Sequence, residues 1–474
     1  MTKYFQIIIL TMAIFLLSCG GSGEGGGNNA STPTYSLIEN GLHAKSDIAT
    51  SPNRLYAIYS YVTTDDTYEY LWVKVYSLAT GWASSELIAQ ESAGTFLTGH
   101  SVHKVGINNN GNAVIYPPKY DRTADGGALF FHYHIDAGIS TSVNPNITWL
   151  QGLSIDSNNR IYIVHRGNDP LDVQNKTAIA VTPYDSSAGW GSTVYISDHL
   201  QSYYDRPEYA GLDVAISGNG HTYIAYVLRA ESSTHGVCAS SCPDFYYITV
   251  AHELMPYQGD DQVSFYTHDF QGYIVFHSPS PVLKTDSTGT VHMGRASSEF
   301  NDYNYANTIR VLSFDDSDVT TVLNNEFVLD VQNSYESSTL GALNGFDFSV
   351  NSGNEYSVIW VESFNNGGTV NYEYYGKVMS NGIWSGFDTL LYTDSSGSGL
   401  TRTWIDGNGN AVFRSYREMS YYYADTSSWD INIDSFDTSS YGVTLGIDIF
   451  FDSTNTSYAV WQAGGNLFNY QFEL

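Results

Sequence analysis

The sequence is poor in charged residues, and above all in basic ones. Only 14% of its 474 residues are charged, and 19 Lys and Arg stand against 49 Asp and Glu. Long amphipathic helices need charged residues on their solvent face, and no 3.6-residue hydrophobic pattern follows the first twenty positions. The net charge of −30 also repels nucleic-acid phosphates. We therefore predict very little helix and no nucleic-acid partner.

Cysteine is scarce as well, with three in the chain. Cys238 and Cys242 are spaced C-x3-C in a polar segment, and an exported compartment favours a disulfide between them. The alternative is half of a metal site, with His235 nearby but no evident fourth ligand. The G-x-S-x-G motif of serine hydrolases is absent. The sequence predicts no cofactor.

The N-terminus has the order of an export signal. Lys3 precedes an apolar run at residues 7–17, which is too short for a durable membrane span. The run ends in Leu-Leu-Ser-Cys-Gly, which resembles the lipobox of bacterial lipoproteins. That resemblance implies cleavage before Cys19, acylation of Cys19 and, because Gly20 follows, an outer-membrane location. A plain signal peptide is the alternative. We predict a signal peptide at 1–18, a Gly-rich tether at 19–33 and a folded domain at 34–474.

A β-hairpin pattern recurs eight times after the tether. In each copy an apolar run ends in a cluster of Asp, Asn, Ser or Gly, and a second run of aromatic and β-branched residues follows. The copies occupy residues 47–59, 105–116, 153–165, 214–227, 283–295, 346–360, 403–418 and 447–461. A spacing of roughly 45–70 residues is typical of propellers and solenoids.

Further strand-like runs follow each hairpin and often end at a Gly-Trp or similar pair, as at Trp82, Trp190 and Trp384. Four antiparallel strands per repeat predict an all-β fold, a β-propeller of eight four-stranded blades, with seven as the alternative. Residues 34–39 are expected to supply the outer strand that the last blade lacks, and so to close the ring. The chain thus resembles bacterial surface lipoproteins built on a β-propeller, in architecture alone.

Basic residues recur near the predicted end of the second strand. The set comprises Lys119, Arg166, Arg229, Arg295 and Arg417, and Arg206 and Arg402 are expected on the same rim. Guanidinium groups there suit carboxylates or sulfates. Aromatic residues in the adjoining loops would stack on sugars: Trp149, Tyr203, Tyr204, Tyr303, Tyr305, Tyr421 and Tyr422. The alternative is that these cations pair with neighbouring acids, such as Glu418, and hold blades together.

Metal sites are the weaker hypothesis. His132 and His134 lie two apart on a predicted strand, with His100 and His103 before them, but no third ligand is defined. The segments DSNN at 156–159 and DGNGN at 406–410 resemble calcium loops but lack their terminal acid, and turn chemistry explains them. We predict no metal.

Three functions remain open. The first and favoured one is a surface module that binds an anionic polysaccharide or glycoprotein without catalysis. The second is a polysaccharide lyase or glycoside hydrolase that uses the same Arg-rich face, which would need a close carboxylate pair or a perturbed Tyr or His. The third is a scaffold for protein partners, which would need an exposed apolar patch.

Overall fold

A computed structural model describes residues 34–472 except for connecting segments. These segments are 41–42, 52, 96–102, 118–127, 135–137, 145–147, 157, 169–176, 186–188, 196–207, 218–221, 230–243, 252–261, 266–280, 302–303, 315–325, 332–341, 367–368, 387, 396–400, 416–417, 436–445, 452–453 and 464–465. All regular elements in the described part are β-strands. In that part no helix has the length and apolarity to cross a membrane. The prediction of an all-β fold is confirmed.

The strands form eight antiparallel sheets in chain order. After β1 (Thr34–Asn40), the first sheet contains β2 (His43–Thr50), β3 (Tyr56–Thr64), β4 (Tyr68–Ser77), β5 (Gly81–Trp82) and β6 (Glu86–Ser92). The second contains β7 (Lys104–Ile107), β8 (Asn112–Tyr116), β9 (Ala128–His134) and β10 (Gly138–Asn144). The third contains β11 (Thr148–Ile155), β12 (Ile161–Asn168), β13 (Thr177–Asp185), β14 (Gly189–Trp190) and β15 (Val194–Tyr195). The fourth contains β16 (Glu208–Ile216), β17 (Thr222–Arg229), β18 (Asp244–Ala251) and β19 (Gln262–Phe265).

The remaining four sheets repeat this plan. The fifth contains β20 (Val282–Thr285), β21 (Val291–Asn301), β22 (Asn304–Phe314) and β23 (Glu326–Val331). The sixth contains β24 (Ala342–Val350), β25 (Tyr356–Asn366), β26 (Thr369–Ser380), β27 (Ile383–Trp384) and β28 (Thr389–Asp394). The seventh contains β29 (Thr401–Ile405), β30 (Ala411–Ser415), β31 (Glu418–Tyr423) and β32 (Ser428–Ser435). The eighth contains β33 (Gly446–Phe451), β34 (Ser457–Ala463) and β35 (Asn466–Phe472), with β1 beside β35.

Each predicted hairpin is present as the first two strands of a sheet. Five of the turns share one geometry, in which a side-chain oxygen of the first turn residue accepts the N–H groups two and four residues later. In the first sheet, Ser51 Oγ instead accepts the Tyr56 N–H, five residues later, at 3.0 Å. In the seventh sheet, Asp406 Oδ1 accepts from Asn408 and Asn410, both at 2.8 Å. Asn108, Asp156, Asp286 and Asn351 do the same in their sheets. Turn chemistry therefore explains the segments at 156–159 and 406–410.

The turns also contact one another, so they share one face of the molecule, here called the turn face. Asn108 Nδ2 donates to the Asp156 carbonyl at 2.8 Å, and Asn351 Nδ2 donates to the Asp406 carbonyl at 2.9 Å. The Gly407 N–H reaches Asn455 Oδ1 at 3.0 Å. The first two bonds are buried and the third is exposed. They join the second sheet to the third, the sixth to the seventh and the seventh to the eighth.

Apolar side chains pack between successive sheets. The fifth and sixth sheets, for example, enclose a core of Ile309, Val311, Phe348 and the fully buried Trp360. Such aromatic residues bury about 150–250 Å² each and dominate the stabilisation of a core.

The eighth sheet packs against the first. Tyr76 lies 5.5 Å from Phe450 and 5.1 Å from Tyr458 between ring centroids, and the two tyrosine hydroxyls are 3.2 Å apart. Trp82 completes this cluster, with its ring 5.8 Å from that of Phe450. The first and last strands that the structure describes, β1 and β35, also lie side by side.

Candidate functional site

The first strands of all eight sheets line one cavity of about 360 Å³, here called the hub cavity. Its walls come from residues 49–51, 105–107, 153–155, 214–215, 283–285, 349–350, 404–405 and 449–451, with Arg54 and Ser287 from two turns. The volume lies within the range of small-molecule sites, about 300–1,000 Å³. Among the described lining residues, the charged ones are Arg54 and Lys284, and both are cations. Hydroxyls from Thr50, Ser51, Ser154, Thr285, Ser287 and Ser349 accompany them.

Arg54 occupies an unusual backbone position. The fourth residue of seven described turns has a positive φ, and in six of these turns it is Gly or Asn: Gly111, Asn159, Gly289, Asn354, Gly409 and Asn455. Arg54 is the exception, with φ of 58°. A left-handed conformation costs a long side chain about 1 kcal/mol or more, so such outliers often serve a function.

Burial lowers the pKa of the Arg54 guanidinium, and the nearby carboxylates of Asp406 and Asp286 oppose that shift. Both carboxylates are bound by N–H groups of their own turns. Arg54 thus stays charged at the turn end of the hub cavity, with its counter-charges held by backbone.

Lys284, on β20, supplies the second cation. Its Nζ lies 3.6 Å from Asp347 Oδ1, beyond hydrogen-bond distance, and 32% of its side chain is exposed. The ammonium therefore keeps donors available to a molecule in the cavity. Lys284 is also the cross-strand partner of His292 on β21.

Aspartates on the first strands connect neighbouring sheets. Asp47 Oδ2 accepts the Val105 N–H at 2.9 Å, and Asp213 Oδ2 accepts the Leu283 N–H at 2.8 Å. In the same way Asp347 Oδ2 accepts the Thr403 N–H at 3.0 Å. Each carboxylate therefore joins its sheet to the first strand of the next. Hydrogen bonds to a charged group contribute about 1.5–3 kcal/mol each.

Burial raises the pKa of Asp213, while Lys284, the Leu283 and Val214 N–H groups, and Lys104 oppose this shift. The carboxylate thus depends on cations from the second and fifth sheets as well as on backbone donors.

A buried chain of ionisable groups starts beside the cavity wall. His292 Nε2 lies 3.2 Å from Asp286 Oδ2, and His292 Nδ1 lies 2.9 Å from the Tyr356 hydroxyl. The side chains of Asp286, His292 and Tyr356 are buried. Burial would raise the pKa of Asp286, but hydrogen bonds from His292, Thr288 and Thr290 outweigh it and lower that pKa.

The predicted cationic rim is only partly described. Lys119, Arg206 and Arg417 lie outside the described residues, as do Cys19, Cys238 and Cys242. Arg166 ends up on β12 and Arg229 at the end of β17, ten and twelve residues after the first residue of their turns. Arg402 is exposed on β29, opposite Arg414. Their role in binding stays a prediction.

Arg295 does not lie at a strand end, where the sequence pattern placed it. It is buried in the middle of β21, opposite Arg310. Its strand neighbour Met293 packs on the fourth sheet, so the alternation of the strand directs Arg295 to the same side. It lies nine residues after the first turn residue, an odd offset, whereas Arg166 and Arg229 lie at even ones.

Two predicted sugar-stacking residues are also misplaced. Tyr421 and Tyr422 are buried on β31 rather than exposed in a loop, because the third strand begins directly after residues 416–417. Trp149 and Tyr305 likewise belong to strands, β11 and β22. Tyr203, Tyr204 and Tyr303 lie outside the described residues.

The histidines of the second repeat contact different residues. His103 Nε2 lies 3.0 Å from Ser60 Oγ, in the first sheet. His132 and His134 share β9, and burial, followed by the proximity of His134, lowers the pKa of His132. Over the described part of the chain, no group of three His, Cys, Asp or Glu residues is arranged to hold a metal ion.

A carboxylate pair lies away from the hub, between the fifth and sixth sheets. Glu362 and Glu373 are cross-strand partners on β25 and β26. Trp360 Nε1 donates to Glu362 Oε1 at 2.9 Å, and the Tyr375 hydroxyl donates to Glu373. Burial raises the pKa of Glu362 to about 7, assisted by Glu373 and opposed by the Trp360 hydrogen bond.

Sequence reasoning missed Arg54, Lys284 and the first-strand aspartates. Aligning the repeats on the first turn residue would have revealed two of these signals. Arg54 occupies the turn position that is Gly or Asn in the other described turns. Four repeats have an Asp four residues before the first turn residue: Asp47, Asp213, Asp347 and Asp448. No comparable pattern marks Lys284.

No protein-family model matches the sequence, and no curated protein matches it. Similar solved structures include polysaccharide lyase Uly1, with a TM-score of 0.46 and 12% identity over 82% of this chain and 91% of that chain. A PL25 ulvan lyase has a TM-score of 0.41 and 8% identity over 93% and 96% of the two chains. The β-propeller domain of the Trilobed protease from Pyrococcus furiosus has a TM-score of 0.39 and 10% identity over 86% and 98%. These TM-scores are too low for the likeness to carry an argument about this chain.

Proposed function

We propose that the eight sheets are the blades of a closed β-propeller whose central channel contains the hub cavity. Three observations support this proposal: the cavity wall includes all eight first strands, the eighth sheet packs on the first, and β1 lies beside β35. Closure of this kind protects sheet edges. Electron micrographs that showed an open arc, or a ring of seven blades, would contradict it.

We further propose that the hub cavity binds a small acidic, hydroxyl-rich ligand, of the class of a uronate sugar. The observation that carries this proposal is that two cations, Arg54 and Lys284, line the same cavity. Arg54 has a strained backbone conformation, and the Lys284 ammonium keeps donors available. Two cations suit a carboxylate, and the surrounding hydroxyls suit a polyol. In a chain with a net charge of −30, such a cavity concentrates anions that the outer surface repels.

Replacing Lys284 by glutamine is expected to weaken glucuronate binding about 10- to 100-fold, because one charged hydrogen bond is lost. Titration calorimetry at low salt measures this, and glucose serves as the neutral ligand, expected to bind more weakly. Lys74→Gln is the matched control, since Lys74 lies on β4, away from the cavity. Wild-type protein that binds glucose and glucuronate equally would refute a cationic site.

A catalytic role is the second candidate, and the Glu362–Glu373 pair is the observation that favours it. Two adjacent carboxyl groups, one of them with a pKa raised by burial, are the arrangement of an acid–base pair. Glu362 is only 2% exposed, however, so substrate cannot reach it in this conformation. New reducing ends or unsaturated products from a uronate polymer would establish catalysis and displace the binding proposal.

The location remains a proposal too: Cys19 is acylated and anchors the domain at the outer membrane. Two or three acyl chains give stable anchoring where one does not. The wild-type chain, expressed in a bacterium with labelled palmitate, is expected to carry label and to sediment with membranes. Cys19→Ser is expected to lose both properties, and label retained in that variant would place the lipid elsewhere. Protein partners and the rim arginines as a polysaccharide contact stay predictions.

A further inference from the structure

Trp404 contributes an aromatic side chain to the wall of the hub cavity. It lies on β29, the first strand of the seventh sheet, and is partly buried. Its strand neighbours Thr403 and Ile405 face the sixth sheet: Thr403 Oγ1 donates to Ser357 Oγ at 2.8 Å, and Ile405 packs in the apolar core between the two sheets. The alternation of the strand therefore directs the indole away from that core.

The other tryptophans whose surroundings the structure describes are used inside the fold. Each packs against aromatic or apolar side chains or donates a hydrogen bond: Trp72, Trp82, Trp190, Trp360, Trp384 and Trp429. The Trp404 indole has neither a ring contact nor a hydrogen bond within the part of the chain that the structure describes. Its uncovered part is therefore available to a molecule in the cavity.

One carboxylate connects the strand of Trp404 to Lys284. Asp347 Oδ2 accepts the N–H of Thr403, the residue before Trp404, at 3.0 Å, and Asp347 Oδ1 lies 3.6 Å from Lys284 Nζ. Ser349 follows Asp347 by two residues on β24, so its side chain also faces the seventh sheet, and it lines the cavity. A cation, a hydroxyl and an aromatic ring thus come from three consecutive sheets, the fifth, the sixth and the seventh.

This order suits a uronate in its pyranose form. A β-glucuronide carries its carboxylate and its hydroxyls in equatorial positions, so the two faces of the ring expose C–H groups and the polar groups lie at its edge. Such a face stacks on an indole because apolar area is removed from water. The carboxylate then extends in the plane of the ring, towards a cation beside the indole. An open-chain acid of the same charge has no comparable face.

We propose that Trp404 is a stacking platform in the hub cavity and selects pyranose uronates over open-chain sugar acids. In this arrangement the sugar ring lies on the indole, its carboxylate binds Lys284, and Ser349 bonds a ring hydroxyl. This inference rests on the proposed function, because it requires an acidic ligand in the same cavity. It adds a requirement for the shape of the ligand to the requirement for its charge.

The test compares two acids of equal charge by titration calorimetry: methyl β-D-glucuronide, whose ring is closed, and gluconate, whose chain is open. Wild-type protein is expected to bind the glucuronide about tenfold more tightly, because only the closed ring buries an apolar face. Equal affinities for the two acids would overturn the role of Trp404 and leave the proposed cationic site standing. If neither acid bound, both proposals would fall.

Substitutions separate the contribution of the ring from that of the charge. Trp404→Leu is expected to bind the glucuronide about tenfold more weakly and gluconate within about twofold of wild type, and so to lose the preference. Lys284→Gln is expected to weaken the binding of both acids alike. Trp384→Leu is the matched control, since Trp384 lies on β27, outside the cavity wall. A preference for the glucuronide that survived in Trp404→Leu would contradict the proposal.

A measurement on the wild-type chain covers the case in which Trp404→Leu does not fold. The protein is labelled with 5-fluorotryptophan, and the signals of its nine tryptophans are followed by fluorine NMR. Saturating glucuronide is expected to shift one signal, and saturating gluconate is expected to shift it much less. The signal that is missing from Trp404→Phe identifies the residue. Glucuronide binding that shifted no signal, or the signal of another tryptophan, would overturn the platform.

Discussion

Gly294→Ala is expected to destabilise the protein by about 3 kcal/mol, because the fifth and sixth sheets leave no room for a methyl group. A Cβ at this position would lie 2.5 Å from Phe346 Cζ and 2.5 Å from Phe348 Cδ1. The two rings are buried and stacked, with centroids 6.2 Å apart, so neither can move without disturbing the core. The midpoint of urea unfolding measures the loss.

Gly386→Ala is the matched control for this substitution. Nothing lies within 4 Å of the Cβ that it would add, and the residue is exposed. Its effect is expected to stay within about 0.5 kcal/mol. If Gly294→Ala unfolded at the wild-type urea concentration, the packing of the fifth sheet against the sixth would differ from that described.

The second large effect concerns Glu362, whose substitution by glutamine is expected to raise stability at pH 8 by about 3 kcal/mol. The pKa of this carboxyl is about 7 in the folded protein, against an ordinary value of 4.5. Below pH 4.5 it is protonated in both states. Between pH 4.5 and 7 only the unfolded chain loses the proton, so the free energy of unfolding falls as the pH rises. Above pH 7 both states have lost the proton, so the free energy of unfolding no longer changes with pH through this group.

Urea unfolding at pH 4, 6 and 8 tests this sign. Glu362→Gln is expected to match wild type at pH 4 and to exceed it at pH 8, because the amide oxygen still accepts from Trp360. Glu91→Gln, on the outer strand β6, is expected to leave the pH dependence of wild type unchanged. A wild-type slope retained in Glu362→Gln would assign the pH dependence to another group.

The hairpins were predictable from the sequence because their determinants are local. An Asp or Asn at the first turn position bonds N–H groups two and four residues away, and a Gly or Asn at the fourth position accepts a positive φ. Counting the strands of the last repeat showed that one was lacking and led to the prediction that residues 34–39 supply it. In the structure, β1 lies beside β35. These inferences need no knowledge of distant segments.

The predicted position of Arg295 at a strand end was wrong for a different reason. Counting from a turn gives a distance along a strand, but whether a side chain faces one neighbouring sheet or the other changes with every residue. β21 continues six residues beyond Arg295, and β31 starts almost where β30 ends. Strand length depends on the partner strands, which the local pattern does not specify.

The hub cavity was beyond sequence reasoning because eight segments far apart in the chain form its wall. Lys284 has no repeated signature, and its proximity to Asp347 and His292 depends on how the fifth sheet pairs internally and packs on the sixth. Arg54 was detectable only as a departure from the Gly or Asn of the other turns.

The carboxylates of Asp47, Asp213 and Asp347 accept hydrogen bonds from main-chain N–H groups of the adjoining sheet. These bonds hold the first strands of neighbouring sheets together through the backbone, and of the wall residues Lys284 also acts on the Asp213 and Asp347 carboxylates. Wall positions such as Ser154, Ser349 and Trp404 are free to diversify, so one scaffold can acquire new ligand preferences through a few exchanges.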